Sequence, residues 1–77
     1  MKVKMYTTPS CPWCMREKEF LKKNKIPFQE VDVSANEQEA AQMVEKSGQM
    51  GVPVTEVDGQ IVVGFDEPRL KALLNVK

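Results

Sequence analysis

The stretch "TTPSCPWCMRE", Thr7 to Glu17, carries both cysteines of the chain, with Pro12 and Trp13 between them. Before it, "VKMYT" (Val3 to Thr7) reads as a short strand that Pro9 ends. After it, "PWCMREKEFLKKNK" is rich in helix formers. Proline in the first helical turn costs little, because its missing N–H had no partner there. The helix has to stop before Pro27, since a residue preceding proline avoids the α region. A strand, a short loop and a helix that begins near Cys11 put that cysteine at the N-cap and Cys14 at the third helical position.

Working outward, "FQEVDV" (Phe28 to Val33) is a second strand. Ser34 and Glu37 have capping-box spacing, so a helix is expected from there to about Ser47, with Ala40, Ala41 and Val44 on one face and Gly48 as its stop. "PVTEV" and "QIVVG" flank Asp58-Gly59, a pair suited to a type I′ hairpin turn. In "DEPRLKALLNV", Leu70, Leu73 and Leu74 have helical spacing, Asp66 is the natural N-cap and Pro68 lies in the first turn. The order is βαβ, helix, hairpin, helix. A βαβ unit implies parallel strands with a right-handed crossover, and the hairpin adds an antiparallel pair. The expected α/β architecture is a four-stranded mixed sheet with three helices, in one domain over residues 1–77.

The N-cap position decides what the cysteines can do. The first N–H groups of a helix lack intrahelical partners and carry the positive end of its dipole. A sulfur at the N-cap accepts from those donors, which favours the thiolate, the species that attacks a disulfide. Arg16 and Lys18 would add positive potential. Cys14, one turn on, leans back toward Cys11 and can resolve a mixed disulfide formed there. No general base is needed, which suits a chain without histidine. A zinc site needs four ligands, and two cysteines with no histidine would have to recruit carboxylates or a second chain. A structural disulfide across so short a loop would restrain little of the unfolded chain. Two inert core cysteines fit the composition but not the helix start, and a C-x-x-C beside a βαβ pattern is a redox signature.

Composition limits the partners. Among 77 residues, eleven basic side chains balance eleven acidic ones, so the basic excess of a nucleic-acid binder is missing. No apolar run approaches the roughly 18 residues that span a bilayer, and "MKVKMYTTPS" has no signal-peptide core. A cytoplasmic location is expected, where disulfides are transient and catalytic rather than structural. A chain this short buries only about 60% of its unfolded surface, so a small core is expected, with methionines filling gaps. Tyr6 is assigned to the core or its edge. The lysine-rich run at Lys22 to Lys25 is read as a solvated helix end. Trp13, between the sulfurs, is read as an exposed contact platform, with packing on its own helix as the alternative.

Together, "CPWC" after the first strand, "GVPVT" before the hairpin and "VVGFD" before the last helix resemble the glutaredoxin family of the thioredoxin-fold superfamily, over nearly the whole chain. The resemblance implies strand order 2-1-3-4 with three flanking helices. It makes Cys11 the exposed nucleophile, Cys14 the resolving thiol and Pro53 a cis-proline. Val52 would pair with an extended substrate or glutathione, beside Pro12 and Trp13. Gly64, Phe65 and Asp66 would receive the γ-glutamyl carboxylate, an anion at a helix N-terminus. No tightly bound cofactor is implied, and glutathione is the expected co-substrate. The implied partners are disulfide-containing proteins and glutathione or thioredoxin reductase, and a monomer is the default.

The departures bear on the electron donor. Many glutathione-using members carry a lysine where Thr8 stands and a basic residue near Met50 and Gly51, and Val63 replaces the first glycine of their double glycine. These changes point toward redoxins reduced by thioredoxin reductase that act as hydrogen donors, for example to ribonucleotide reductase, although only the Gly64-Phe65 part of that subgroup's last motif is present. A further alternative is a dimer that binds an iron–sulfur cluster, which Pro12 disfavours.

Overall fold

The computed structural model describes residues 2–76. The elements are β1 (Val3–Thr7), α1 (Pro12–Lys23), β2 (Gln29–Asp32), α2 (Glu37–Ser47), β3 (Val54–Val57), β4 (Gln60–Val63) and α3 (Glu67–Leu74). The sheet order is β2-β1-β3-β4. β1 pairs in parallel with β2 (Lys4 with Gln29, Thr7 with Asp32) and antiparallel with β3 (Val3 with Val57, Tyr6 with Val54). The mixed four-stranded sheet and the implied strand order are therefore as expected. β3 and β4 form a hairpin through Asp58 and Gly59, both with positive φ (47° and 89°), as a type I′ turn requires.

Alternation along β1 sends Val3, Met5 and Thr7 to one face and Lys4 and Tyr6 to the other. The first face is the larger core. Met5, Val57 and Val62 pack there with Cys14 and Leu21 of α1 and with Leu70 and Leu74 of α3. The second face holds Tyr6 and Val54 against Met43 of α2. Tyr6 is fully buried, and its hydroxyl accepts from Lys46 Nζ at 3.3 Å.

Two local expectations are corrected. Asn36, not Ser34, caps α2, its Oδ1 accepting from Glu39 N–H at 3.1 Å. Ser34 is already taken, because its N–H and its hydroxyl both donate to Asp32 Oδ1 (2.9 and 2.5 Å), so the helix begins two residues later. The buried residue of α2 is Met43, while Ala41 and Val44 are exposed and Ala40 is half-buried. The inward stripe lies one position away from the one expected, because the long methionine reaches Tyr6 and Val54 where alanine cannot.

Gly48 ends α2 in the left-handed region (φ 75°), its N–H donating to the Val44 carbonyl at 2.7 Å. A methyl group there would meet no atom within 4 Å, so substitution costs only backbone strain. Gly48→Ala is expected to destabilise the chain by about 1 kcal/mol, and Gly48→Asn by less. Urea unfolding should show a lower midpoint with an unchanged slope.

Candidate active site

β1 is an interior strand, with β2 on one side and β3 on the other, so its end is held firmly. From it the chain crosses Thr8 to Ser10, and the Cys11 N–H returns to the Thr8 carbonyl at 3.4 Å. Cys11 has extended backbone (φ −94°, ψ 109°) and is the N-cap of α1, with its Sγ accepting from Cys14 N–H at 3.1 Å. The Sγ also lies 3.8 Å from the Val52 carbonyl, to which the thiol donates. Both cysteines are free thiols. Cys11 is 8% exposed and Cys14 is fully buried. Cys11 is thus less open than the resemblance implied, because the Val52 loop leans over it. Burial, and then the hydrogen bond with Cys11, push the Cys14 thiol up to about 12. It stays protonated until something takes the proton.

The other expected residues fall into two linked groups, the Val52-Pro53 loop beside Cys11 and the Gly64 to Asp66 turn tied to that loop. The Val52–Pro53 bond is cis. Pro53 is buried, and its carbonyl accepts the Gly64 N–H at 2.8 Å, which ties this loop to the end of β4. Asp66 caps α3, accepting from Arg69 N–H at 3.3 Å. Phe65 stacks at a tilt on Phe20, with centroids 5.8 Å apart. A shallow groove of about 630 Å³ is lined by Trp13, Arg16, Val63 and the Gly64 to Pro68 segment. Trp13 is 55% exposed and carries the Arg16 guanidinium over its ring at 4.8 Å. Trp13 therefore meets its own helix through Arg16 and leaves part of its ring exposed. Pro12 is exposed beside it. Arg16 supplies charge at the groove, but Lys18 does not, since its ammonium binds Glu30 at 2.8 Å. At the positions where basic residues are missing, Thr8 is half-buried and Met50 is 81% exposed. Gln49 braces that loop instead, donating to the Gly51 carbonyl at 3.0 Å and accepting the Gly51 N–H at 2.5 Å. Among the described residues, no three His, Cys, Asp or Glu side chains cluster as a metal site would need. No helix among them is long and apolar enough to cross a membrane.

Sequence reading missed Glu17. It sits one turn after Cys14 and is fully buried. Its Oε2 accepts a short hydrogen bond from the Thr55 hydroxyl of β3, while Oε1 is buried with no partner. The signal was available: Cys14, Glu17 and Leu21 have the i, i+3, i+7 spacing of a buried helical stripe. Burial pushes the Glu17 carboxyl up to about 7, against the smaller opposing pull of the Thr55 bond.

This has a consequence for stability. The folded chain keeps a proton that the unfolded chain has lost above the usual value of 4.5. Stability is therefore expected to fall as pH rises through this window, by on the order of 3 kcal/mol once above about 7. Glu17→Gln should flatten this decline. Urea midpoints of the two reduced proteins at about pH 5 and about pH 8 measure it; parallel pH profiles would refute it.

Comparison with known proteins agrees with this geometry. The glutaredoxin family model matches residues 3–62. A glutaredoxin-like 8.6 kDa protein from the rubredoxin operon of Clostridium pasteurianum is 43% identical over 72 residues, covering 94% of this chain and 96% of that one. Glutaredoxin 3 of Escherichia coli K12 is 34% identical over 65 residues, covering 84% and 78%. Among solved structures, a mutant of the thioredoxin-like protein BC3987 superposes with TM-score 0.94 at 33% identity, covering 99% of this chain and 97% of that one. The glutaredoxin of Archaeoglobus fulgidus superposes with TM-score 0.88 at 29% identity, covering 95% and 85%. With a capped cysteine, a buried partner thiol and the Val52-Pro53 loop beside them, this chain belongs to the glutaredoxin family.

Proposed function

We propose that the chain is a dithiol thiol-disulfide oxidoreductase that acts, as a monomer in the cytoplasm, on protein disulfides and on glutathione mixed disulfides. The observation that carries this reading is the Cys11 sulfur at the α1 N-cap, with the Cys14 thiol buried behind it. Cys11 attacks a substrate disulfide as the thiolate, and one substrate sulfur leaves. Cys14 then attacks Cys11, releasing the second substrate sulfur and closing the Cys11–Cys14 disulfide. Two electrons pass from the dithiol to the substrate. The Val52 backbone beside Cys11 offers hydrogen bonds to an extended substrate strand. Gly64, Phe65 and Asp66 at the start of α3 suit the γ-glutamyl carboxylate of glutathione, with Arg16 as the cation across the groove.

A second reading concerns the donor. Trp13 between the cysteines, Met50 two residues before Val52 and Val63 on the groove are all at least half exposed (55%, 81% and 50%), without a cation at Thr8 or Met50. Such an apolar rim suits docking of a protein reductase such as thioredoxin reductase, with the chain serving as a hydrogen donor to enzymes such as ribonucleotide reductase.

NADPH consumption with a disulfide substrate separates the donors, using glutathione with glutathione reductase in one arm and thioredoxin reductase alone in the other. Turnover in the glutathione arm is expected if the groove binds the tripeptide; turnover only in the other arm assigns the chain to the redoxins. In either arm Cys11→Ser should abolish activity. Cys14→Ser should accumulate mixed disulfides, visible by mass, and keep reactions that need one thiol. Near-wild-type disulfide reduction by both variants would overturn the dithiol mechanism.

A further inference from the structure

We propose that Glu17 is the proton acceptor for Cys14 in the resolving step. This rests on the dithiol reading above and adds to it a residue outside the C-P-W-C motif.

Cys14 is fully buried, so no solvent base reaches its proton. A thiol attacks poorly until that proton is leaving. The only titratable side chain beside it on the buried stripe of α1, other than Cys11, is Glu17, one helical turn away. Side chains at this spacing are neighbours. Glu17 is also fully buried, and only one of its oxygens is occupied, by the Thr55 hydroxyl; Oε1 has no partner. An orphaned buried acceptor costs stability unless something uses it.

Among the described residues, the other surroundings supply no competing base. Thr55 pairs with Met5 of β1 and Val62 of β4, both apolar and buried. α3 presents Leu70 and Leu74 to this core. Its charged residues lie elsewhere: Glu67 and Arg69 are exposed, and Lys71 pairs with Glu67. On β3, Glu56 points to the opposite face and binds Lys46. On β1, Lys4 is likewise on that opposite face and pairs with Glu39. Two carboxylates of β2 remain on the same face: Asp32, whose Oδ1 already accepts from Ser34, and Glu30. The Lys18 ammonium, with a further hydrogen bond from Thr7, holds it below the usual carboxylate range, so it is a poor base. The same burial that orphans Glu17 brings it close to neutral, where a general base is most useful.

The step balances as follows. In the mixed disulfide, Cys11 Sγ is bonded to a substrate sulfur. As Cys14 Sγ forms its bond to Cys11 Sγ, the Cys14 proton passes to the Glu17 carboxylate. The Cys11–substrate bond breaks, and its electron pair leaves with the substrate as a thiolate. Glu17, now a neutral acid, later releases the proton to solvent. A charged Glu17 raises the Cys14 thiol further. Accepting the proton removes that opposition just as negative charge builds on sulfur.

The mixed disulfide of Cys11 with thionitrobenzoate is a direct probe. Reaction of the reduced protein with the symmetric nitrobenzoate disulfide releases one coloured thiolate when Cys11 attacks and a second when Cys14 resolves. Stopped-flow absorbance separates the two phases. In the wild-type protein the second phase should accelerate with rising pH through about 7. In Glu17→Gln, which keeps the shape and an oxygen for Thr55, the second phase should slow by about 100-fold and lose that inflection, with the first phase retained. Matching second-phase rates and pH profiles in the two proteins would overturn the role of Glu17 while leaving the dithiol mechanism standing. A wild-type protein that releases only one equivalent, like Cys14→Ser, would overturn the dithiol mechanism itself. Carboxyl NMR of the wild-type protein supplies a test that needs no variant. The Glu17 midpoint should differ between the dithiol and disulfide forms, and an identical midpoint in both would also overturn the proposal.

Discussion

The hydrogen bond from the Cys14 N–H to the Cys11 sulfur, at 3.1 Å, is the contact on which the site depends. A helix start leaves amide donors without partners, and an oxygen side chain usually fills the N-cap. Here sulfur does, so the proposed nucleophile is also the group that satisfies the helix start. The cap works only if the chain arrives at the right point, and β1 ensures that by being anchored on both edges. The Val52 carbonyl approaches the same sulfur from the far side, while the Gly64 N–H fixes the neighbouring Pro53 carbonyl. Two segments distant in sequence thereby meet at one atom, and a third holds the second in place.

The two faces of the sheet are built differently. The α2 side is a mixed surface, where Lys46 bridges Tyr6 and Glu56 and Lys4 pairs with Glu39. Such partly exposed pairs contribute little stability each, and losing one would barely be felt. The α1 and α3 side is apolar apart from Thr7, Thr55 and Glu17 among its fully buried side chains. Removing Glu17's charge there matters far more, because the low-dielectric surroundings magnify any unpaired group. A leucine at this position would extend the Cys14 to Leu21 stripe and pack without an orphaned oxygen. The carboxyl is therefore a cost to the core, at the place where the core meets the Cys14 sulfur.

Much of this was legible from local rules. Val3 to Thr7, the Pro12 helix start, the Asp58-Gly59 turn and the Asp66 cap each follow from one or two residues with a defined backbone preference. The strand order followed from the resemblance of whole motifs, since neither periodicity nor spacing ranks the strands. Local rules failed where side chains had competing partners. Ser34 has the right spacing for a cap, but Asp32 captures it. Ala40, Ala41 and Val44 form a plausible stripe until the length of Met43, which reaches Tyr6 and Val54, is weighed. Glu17 was hidden for another reason. A charged residue in a helix rich in Lys and Glu reads as surface, and only its phase relative to Cys14 and Leu21 marks it as buried.

The balance between small-molecule and protein donors comes down to what surrounds the sulfur. A tripeptide anion gains most from cations that pair with its carboxylates, and the cation lining this groove is Arg16, already seated on Trp13. To meet a carboxylate, the guanidinium would keep its stacking or exchange part of it, so its net contribution is smaller than that of a free lysine. A protein partner needs no such exchange. It can cover Trp13, Met50 and Val63 together, and apolar area gained in that way does not depend on where the charges lie. The rim therefore offers more apolar surface than charge, and on the proposed reading the α3 N-terminus is the place at its edge for an anion. On the proposed reading, donors would differ in how they dock on this rim, with the chemistry at the sulfur common to both.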